Sequence, residues 1–251
     1  MALTVFVTGA TAGFGRAIAT RFVRDGHRVI AAGRRRDRLD ALAAELGPSL
    51  LGFPIDVTDL AAVDALPRSL PDGWSVVDVL VNNAGLALGL DPAHRANVAD
   101  WDQMVATNIT GLIHMTRALL PGMVERNRGH IVNIGSTAGT YPYPGGHVYG
   151  ASKAFVKQFS LNLRADLVGT LVRVTDLEPG LCGGTEFSSV RFRGDTDKAA
   201  SVYAGTQPLT AEDIAEATAW VVGLPAHFNV NRMEIMPTCQ APGPLAVKRA
   251  V

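Results

Sequence analysis

Tyr149 and Lys153, in the stretch Tyr149-Gly-Ala-Ser-Lys153, put a phenol and an ammonium four residues apart, on one face of a helix. A tyrosine is a poor acid–base group at neutral pH, with an ordinary pKa of about 10. A neighbouring lysine charge favours the phenolate and is expected to bring the phenol toward the working range. Ser136, thirteen residues upstream and just after a strand-like run, reaches the same point in space, where its hydroxyl donates to a carbonyl or alkoxide oxygen. Thr8-Gly-Ala-Thr-Ala-Gly-Phe-Gly15 supplies the other half of the chemistry. Gly9, Gly13 and Gly15 lie between a strand and a helix, where glycine permits a tight turn and lets the backbone approach a pyrophosphate at the helix N-terminus. Together these residues describe hydride transfer on a dinucleotide coupled to proton transfer through Tyr149. Lys153 would also hold the nicotinamide ribose, and a positive nicotinamide ring would add to the shift of the phenol.

The choice of dinucleotide is read one strand later. NAD-binding folds place a carboxylate there for the ribose 2′-hydroxyl. Here the region runs Ala31-Ala-Gly33 and then Arg34-Arg35-Arg36. No acid repels a 2′-phosphate, and guanidinium groups are available to pair with one. NADP(H) is therefore expected, with Arg34 and Arg35 as the first contacts, Arg38 as a further one, and Arg36 on a solvated helix start. Asp56 closes the next strand on the carboxyl edge, where it either accepts from the adenine amino group or caps the following turn, with Thr58 and Asp59 as competing caps. Asn82-Asn-Ala-Gly85 closes a fourth strand on the same edge, either fixing the strand ends near the adenine ribose or serving as a plain turn.

The elements that position these groups alternate short apolar runs with helix-period segments, the pattern of a parallel sheet with crossover helices. Strands are expected over Leu3–Val7, His27–Ala32, Leu51–Ile55, Val77–Val81, His130–Ile134, Leu171–Leu177 and Arg232–Met236. Helices are expected from the glycine turn to Arg24, over Arg35–Leu46, over a long Val98–Val124, from Tyr149 to about Leu167, and over Ala211–Val222. Residues 180–210, glycine-rich and polar as far as Asp197, are expected to form a substrate lid. The fold expected is one α/β domain over residues 1–251, a doubly wound parallel sheet with helices on both faces.

Composition agrees with one sizeable domain: 251 residues, 47% hydrophobic and 18% charged. Lys+Arg and Asp+Glu balance at 23 each, which gives no field for nucleic acid or an anionic membrane. Cys182 and Cys239 make no disulfide framework and point to a reducing compartment. No basic n-region precedes the first strand, and no apolar run approaches the roughly 20 residues of a membrane span. A cytoplasmic protein is expected. His94, His114, His130 and His227 show no metal-ligand spacing, so no metal is expected.

Asn108, inside the long helix, is unfavourable there because its amide competes with backbone bonding. It is either a tolerated interior polar group or the point where the helix opens to a water of a proton relay. His147, two positions before Tyr149, does not share its face. It is read as a possible substrate contact rather than the base.

As a set, Thr8–Gly15, Asp56-Val57, Asn82–Gly85, Asn108, Ser136, Tyr149–Lys153 and Pro179-Gly180 resemble the short-chain dehydrogenase/reductase family across essentially the whole chain. The resemblance implies a catalytic tetrad of Asn108, Ser136, Tyr149 and Lys153, with Asn108 holding a relay water. It implies a cofactor set of Gly9, Thr11, Gly13, Phe14, Gly15, Asp56, Val57, Asn83, Tyr149, Lys153, Pro179, Gly180 and Thr185 beside the arginines. Leu86–Gly89, Leu120–Asn127, Ile134–Gly139 and Glu178–Phe187 are similar to the branch of that family that acts on 3-hydroxy acids with NADP(H): serine, allo-threonine, or 3-hydroxypropionate and malonic semialdehyde. That branch implies a homotetramer and a substrate with a carboxylate beside the reacting carbon. Arg191 and Arg193 lie in the expected lid; Arg191 is the candidate clamp for the carboxylate, with a surface role the alternative. Three other readings are weaker. A general carbonyl reductase would prefer uncharged ketones. A non-catalytic NADP(H) sensor is disfavoured by retention of both phenol and lysine. A sugar-nucleotide epimerase needs a second domain that this length does not accommodate.

Overall fold

A computed structural model describes residues 2–243. Its centre is a seven-stranded, wholly parallel sheet in the order β3-β2-β1-β4-β5-β6-β7. The strands are β1 (Thr4–Thr8), β2 (Arg28–Gly33), β3 (Leu50–Pro54), β4 (Val79–Asn82), β5 (Gly129–Ile134), β6 (Val172–Pro179) and β7 (Arg232–Ile235). Covered on both faces, β1, β4, β5 and β6 are buried at every position; β1 and β4 read as largely apolar runs, while β5 and β6 also bury polar residues such as Asn133, Arg173, Asp176 and Glu178. The order reverses between β1 and β4, so the connections after these strands leave in opposite directions and open a crevice at the carboxyl edge.

On one face α1 (Gly13–Arg24), α2 (Arg36–Leu46) and α9 (Ala211–Gly223) pack Ile18, Phe22, Leu39 and Ile214 against Val5, Val7 and Leu177. On the other, α3 (Leu60–Ser69), α5 (Leu112–Glu125) and α6 (His147–Asp166) bury Leu66, Met115, Met123 and Leu163 against Phe6, Leu80, Ile131 and Val174. The expected strands and helices stand within a few residues of their expected bounds. No helix among the described residues is long and apolar enough to cross a membrane.

Three features depart from the expected plan. α3 is an additional helix; Asp59 caps it by accepting from Ala62 N at 3.1 Å, so the competition between Asp56, Thr58 and Asp59 resolves in favour of Asp59. The long helix is divided into α4 (Val98–Val105) and α5 by a π-helical turn over Ala106–Gly111 that contains Asn108. A side chain at Gly111 could not fit that turn, because a Cβ there would stand 2.8 Å from the carbonyl oxygen of Val57. Within residues 180–210 lie two short helices, α7 (Phe187–Arg191) and α8 (Thr196–Ser201). The two feet of this excursion are clipped together by Gly183 N to Leu209 O at 2.8 Å and Leu209 N to Leu181 O at 3.0 Å.

Candidate active site

A cavity of about 810 Å³ runs along the carboxyl edge from the glycine turn to Tyr149, a volume within the range of small-molecule sites. At one end, Gly9 and Gly13 have φ of 66° and 50°, a region that side chains with a Cβ rarely enter. A Cβ on Gly15 would overlap the carbonyl oxygen of Gly9 and stand 2.5 Å from Asn83 Nδ2, so α1 approaches the turn only because glycine is there. Ala12, the N-cap of α1, offers no side-chain cap, which leaves first-turn N–H groups free for an anion. Thr8 Oγ1 accepts from both Asn83 N and Ala84 N at 2.9 Å, and Asn83 Nδ2 donates to Thr8 O at 2.8 Å. Asn83 thus ties β4 to the glycine turn while lining the cavity.

Arg34 and Arg35 stand at the rim of the same end. Arg35 is held there by two bonds to Thr11 Oγ1, at 2.8 and 3.2 Å, and by Glu186 at 3.0 Å. Arg38 also bonds Glu186, at 2.6 Å, but lies outside the cavity lining. Arg34 is largely exposed, 3.7 Å from Asp56 Oδ2. The other oxygen of Asp56 accepts from Thr58 N at 2.9 Å and Thr58 Oγ1 at 2.8 Å, so the carboxylate closes its own turn and faces the cavity as well. Phe14, Val57, Pro179, Gly180 and Thr185 complete this lining.

At the other end, the carboxyl edge of β5 and the first turns of α6 bring Ser136, Tyr149 and Lys153 onto one wall. Ser136 Oγ donates to Pro179 O at 3.4 Å and accepts from Ala138 N at 3.1 Å, with the Tyr149 phenol within its influence. Lys153 Nζ donates to Ile134 O at 2.6 Å and lies 5.9 Å from the centre of the Tyr149 ring. The expected lowering of the phenol by Lys153 needs correction. Burial pushes Tyr149 up to about 12, helped by the nearby Tyr143, while the Ser136 hydroxyl and the Arg191 charge pull the other way. The lysine hands its proton donor to a backbone carbonyl instead of to the phenol, and burial pulls Lys153 itself down to about 8.

Asn108 is buried behind this wall. Its amide brackets Leu86, accepting from the backbone N–H at 2.9 Å and donating to the carbonyl at 2.9 Å, and gives its second proton to Ser152 Oγ at 3.0 Å. Ser152 Oγ donates in turn to Tyr149 O at 2.7 Å, so Asn108 clamps the loop after β4 to the helix that carries the tyrosine. His147 is not brought to the cavity. Its ring packs edge-on to Trp101 at 4.9 Å and Nε2 lies 3.1 Å from Asp91 O, a correction to its reading as a substrate contact. The cause is helical geometry: a residue two positions from Tyr149 looks away from it.

The excursion over 180–210 lies across the cavity. Phe187 packs on Tyr149 with ring centres 5.7 Å apart, Gly89 N donates to Arg191 O at 3.1 Å, and Arg193 reaches Asp100 at 2.6 Å. Arg191 points inward. Its guanidinium stands 5.5 Å from the Tyr149 ring centre and bonds Tyr143 OH, while its buried Nε has no hydrogen-bond partner among the described residues. Tyr143, Glu186 and Phe187 are site residues that sequence reasoning missed. The one available signal was the unusual Tyr141-Pro-Tyr-Pro144 run between Ser136 and Tyr149. Cys182 lines the cavity, with burial pushing its thiol up to about 12, the state of an inert side chain.

Comparison with known proteins gives concordant matches. The family model described as short chain dehydrogenase matches residues 3–195. The NADP-dependent 3-hydroxy acid dehydrogenase YdfG of Salmonella typhi is 64% identical over 248 residues, covering 99% of this chain and 100% of that protein. Serine 3-dehydrogenase of Agrobacterium fabrum is 51% identical over 241 residues, 96% of either chain. Among solved structures, the closed form of a serine dehydrogenase complexed with NADP+ superposes with a TM-score of 0.94 at 61% identity, covering 95% of this chain and 96% of the other.

Proposed function

The chain belongs to the short-chain dehydrogenase family, and from that premise we propose that it is an NADP(H)-dependent oxidoreductase that interconverts a short 3-hydroxy acid, such as serine, allo-threonine or 3-hydroxypropionate, with its 3-oxo partner. One observation carries the reading. A single cavity joins the glycine turn and Arg34 and Arg35 at one end to Ser136, Tyr149, Lys153 and Arg191 at the other.

The residues at the first end fit NADP(H): the positive-φ glycines leave the space a pyrophosphate needs, and two guanidinium groups stand where a 2′-phosphate would be read. When bound, the cofactor supplies or accepts the hydride. Tyr149 exchanges the substrate oxygen's proton, Ser136 donates to that oxygen, and Lys153 supplies positive charge and a donor for the ribose. Arg191 takes the substrate carboxylate, for which its unpartnered Nε and its position beside Tyr149 suit it. The π turn around Asn108 supports a relay role there, because such turns interrupt the ordinary run of main-chain bonds and recur at functional sites. Phe187 and Arg191 make the 180–210 excursion a lid that excludes water during transfer.

The protein is read as a homotetramer, a reading supported by the exposed aromatic residues Phe155, Trp220 and Phe228. It is read as cytoplasmic on its free Cys182 and Cys239. The deciding assay measures 3-hydroxy acids, serine, allo-threonine and uncharged secondary alcohols against NADP+ and NAD+. Preference for NADP+ and for the acids is expected. Preference for the uncharged compounds would move the reading to a general carbonyl reductase.

A further inference from the structure

The carboxylate of Glu186 reaches out of its own segment. Glu186 is the N-cap of α7, but its side chain leaves that helix's first-turn N–H groups alone. It crosses instead to the start of α2, where Oε2 accepts from Arg35 Nη1 at 3.0 Å and Oε1 from Arg38 Nη1 at 2.6 Å. Arg35 and Arg38, three residues apart on one side of a helix start, close a two-armed grip on a single anion. These bonds, that from Arg38 foremost, hold the Glu186 carboxyl below the ordinary carboxylate range against the opposing pull of burial. The carboxylate is therefore charged at neutral pH.

The segment around Glu186 is seated on the dinucleotide cradle. A Cβ on Gly13 would stand 3.3 Å from Thr185 Cβ, so the residue before Glu186 lies on the glycine turn. Each arginine at this end already faces an acid: Arg34 faces Asp56 at 3.7 Å, while Arg35 and Arg38 face Glu186. The two acids are not equivalent. Asp56 is fixed in its own turn by Thr58 N and Thr58 Oγ1. Glu186, with a side chain 46% exposed, is held by the two arginines and by no cap bond to its own helix, so it is free to swing toward solvent. Arg35 keeps a second hold that does not involve Glu186, because its Nε and Nη2 both donate to Thr11 Oγ1. Its guanidinium stays at the cavity rim when the carboxylate leaves. A phosphate monoester carries about two negative charges and more acceptor oxygens than a carboxylate, so it prevails in a contest for these donors. The 2′-hydroxyl of NAD(H) is neutral and requires no such exchange.

We propose that Glu186 is a specificity-determining residue for the cofactor: its carboxylate is the resident counter-anion of the 2′-phosphate site, and NADP(H) binds by taking Arg35 and Arg38 from it. Glu186 thereby weakens NADP(H) and leaves NAD(H) nearly untouched, so the preference for NADP(H) is smaller than the arginines alone would give. The inference rests on the reading of Arg35 as a 2′-phosphate contact given above.

The test is the Kd of NADPH and of NADH, each measured by its fluorescence on the full-length protein, for wild type, Glu186→Gln and Arg35→Ala. Glu186→Gln keeps the length of the side chain and removes its charge; Glu186→Ala serves in its place should that variant not fold. The ratio of the NADH Kd to the NADPH Kd is expected to rise about three- to tenfold in Glu186→Gln, through tighter binding of NADPH, as suits one half-exposed charge removed from beside a phosphate. The rise should shrink in high salt, which screens both anions. In Arg35→Ala the ratio should fall. An unchanged ratio in Glu186→Gln overturns the proposal, whether both affinities hold or both drop together; the second result would make Glu186 a clasp for the 180–210 segment and nothing more. A lower ratio in Glu186→Gln also overturns it, because Glu186 would then be holding Arg35 in place for the phosphate. In either case a fall in Arg35→Ala leaves the reading of Arg35 standing. If Arg35→Ala leaves the ratio unchanged, the reading of Arg35 fails and the proposal falls with it.

Discussion

Replacing Arg191 with alanine isolates what the lid contributes to recognition. The guanidinium is held by Tyr143 OH and by three aromatic rings at 5.3 to 5.7 Å, those of Tyr143, Tyr149 and Phe187, and its Nε is free to donate. A substrate carboxylate meeting it in a water-poor site gains one or two charge-assisted bonds, each contributing about 1.5–3 kcal/mol. A loss of about 2–4 kcal/mol in transition-state stabilisation corresponds to a fall in kcat/KM of roughly 30- to 700-fold for a 3-hydroxy acid. The same truncation takes a cation away from Tyr149, whose phenol Arg191 holds down against burial. The phenol therefore rises further, and the acid limb of the oxidation profile, where Tyr149 must accept a proton, moves to higher pH. A secondary alcohol of equal chain length without the carboxylate feels only this second effect and should lose no more than about tenfold. Arg191→Lys keeps the charge but not the fork, so it should restore the limb more completely than the affinity for the acid. The assay is kcat/KM against pH for both substrates, with thermal melts to show that the variants fold. Equal losses for acid and alcohol, or no loss for either, would refute the clamp.

Tyr149→Phe removes the hydroxyl that exchanges the substrate's proton and should lower kcat by about a hundredfold or more while the Kd for NADPH, measured by its fluorescence, changes little. Arg34→Asp replaces a cation at the rim with an anion, so NADPH affinity should fall about tenfold or more and NADH affinity should not; equal losses would refute the choice of cofactor. Gly15→Ala forces a methyl group into the carbonyl oxygen of Gly9. It should destabilise the fold by about 1–3 kcal/mol, read by urea denaturation, and weaken dinucleotide binding through displacement of α1.

The sheet was legible because its inner strands are buried along their whole length, with β1 and β4 reading as largely apolar runs, and because Gly9, Gly13 and Gly15 mark the one turn that needs them. α3 was not, since Pro67 interrupts its pattern and only Val63 and Leu66 are buried on it. α7 and α8, at five and six residues, are too short to show any period. At the site, the residues of contiguous motifs could be named from spacing. Glu186 and Phe187 could not, because they join the site only when the 180–210 excursion folds across it, and Tyr143, marked only by its Tyr141-Pro-Tyr-Pro144 run, gains its role from Arg191 in that excursion. The direction of the Tyr149 shift was also out of reach, for it depends on what covers the ring and on where Lys153 sends its proton, neither of which a four-residue spacing specifies.

That shift ties proton transfer to the lid. Phe187 desolvates the tyrosine and makes the phenolate costly, while Arg191, one helical turn further along α7, supplies a charge that makes it less so. Both effects arrive on one five-residue helix, so neither acts without the other. Were the 180–210 segment to move away, the phenol would be wetter but would lose Arg191; as the segment stands, the phenol is buried with the Arg191 guanidinium 5.5 Å from its ring centre. A dry site protects a hydride from solvent, and in a dry site each charge counts for more than it would in water. An acid whose carboxylate completes the pairing with Arg191 then does more than fill a pocket. On the proposed reading it would hold the 180–210 segment over Tyr149, so discrimination for a charged substrate and enclosure of the proton-transferring phenol would share one contact.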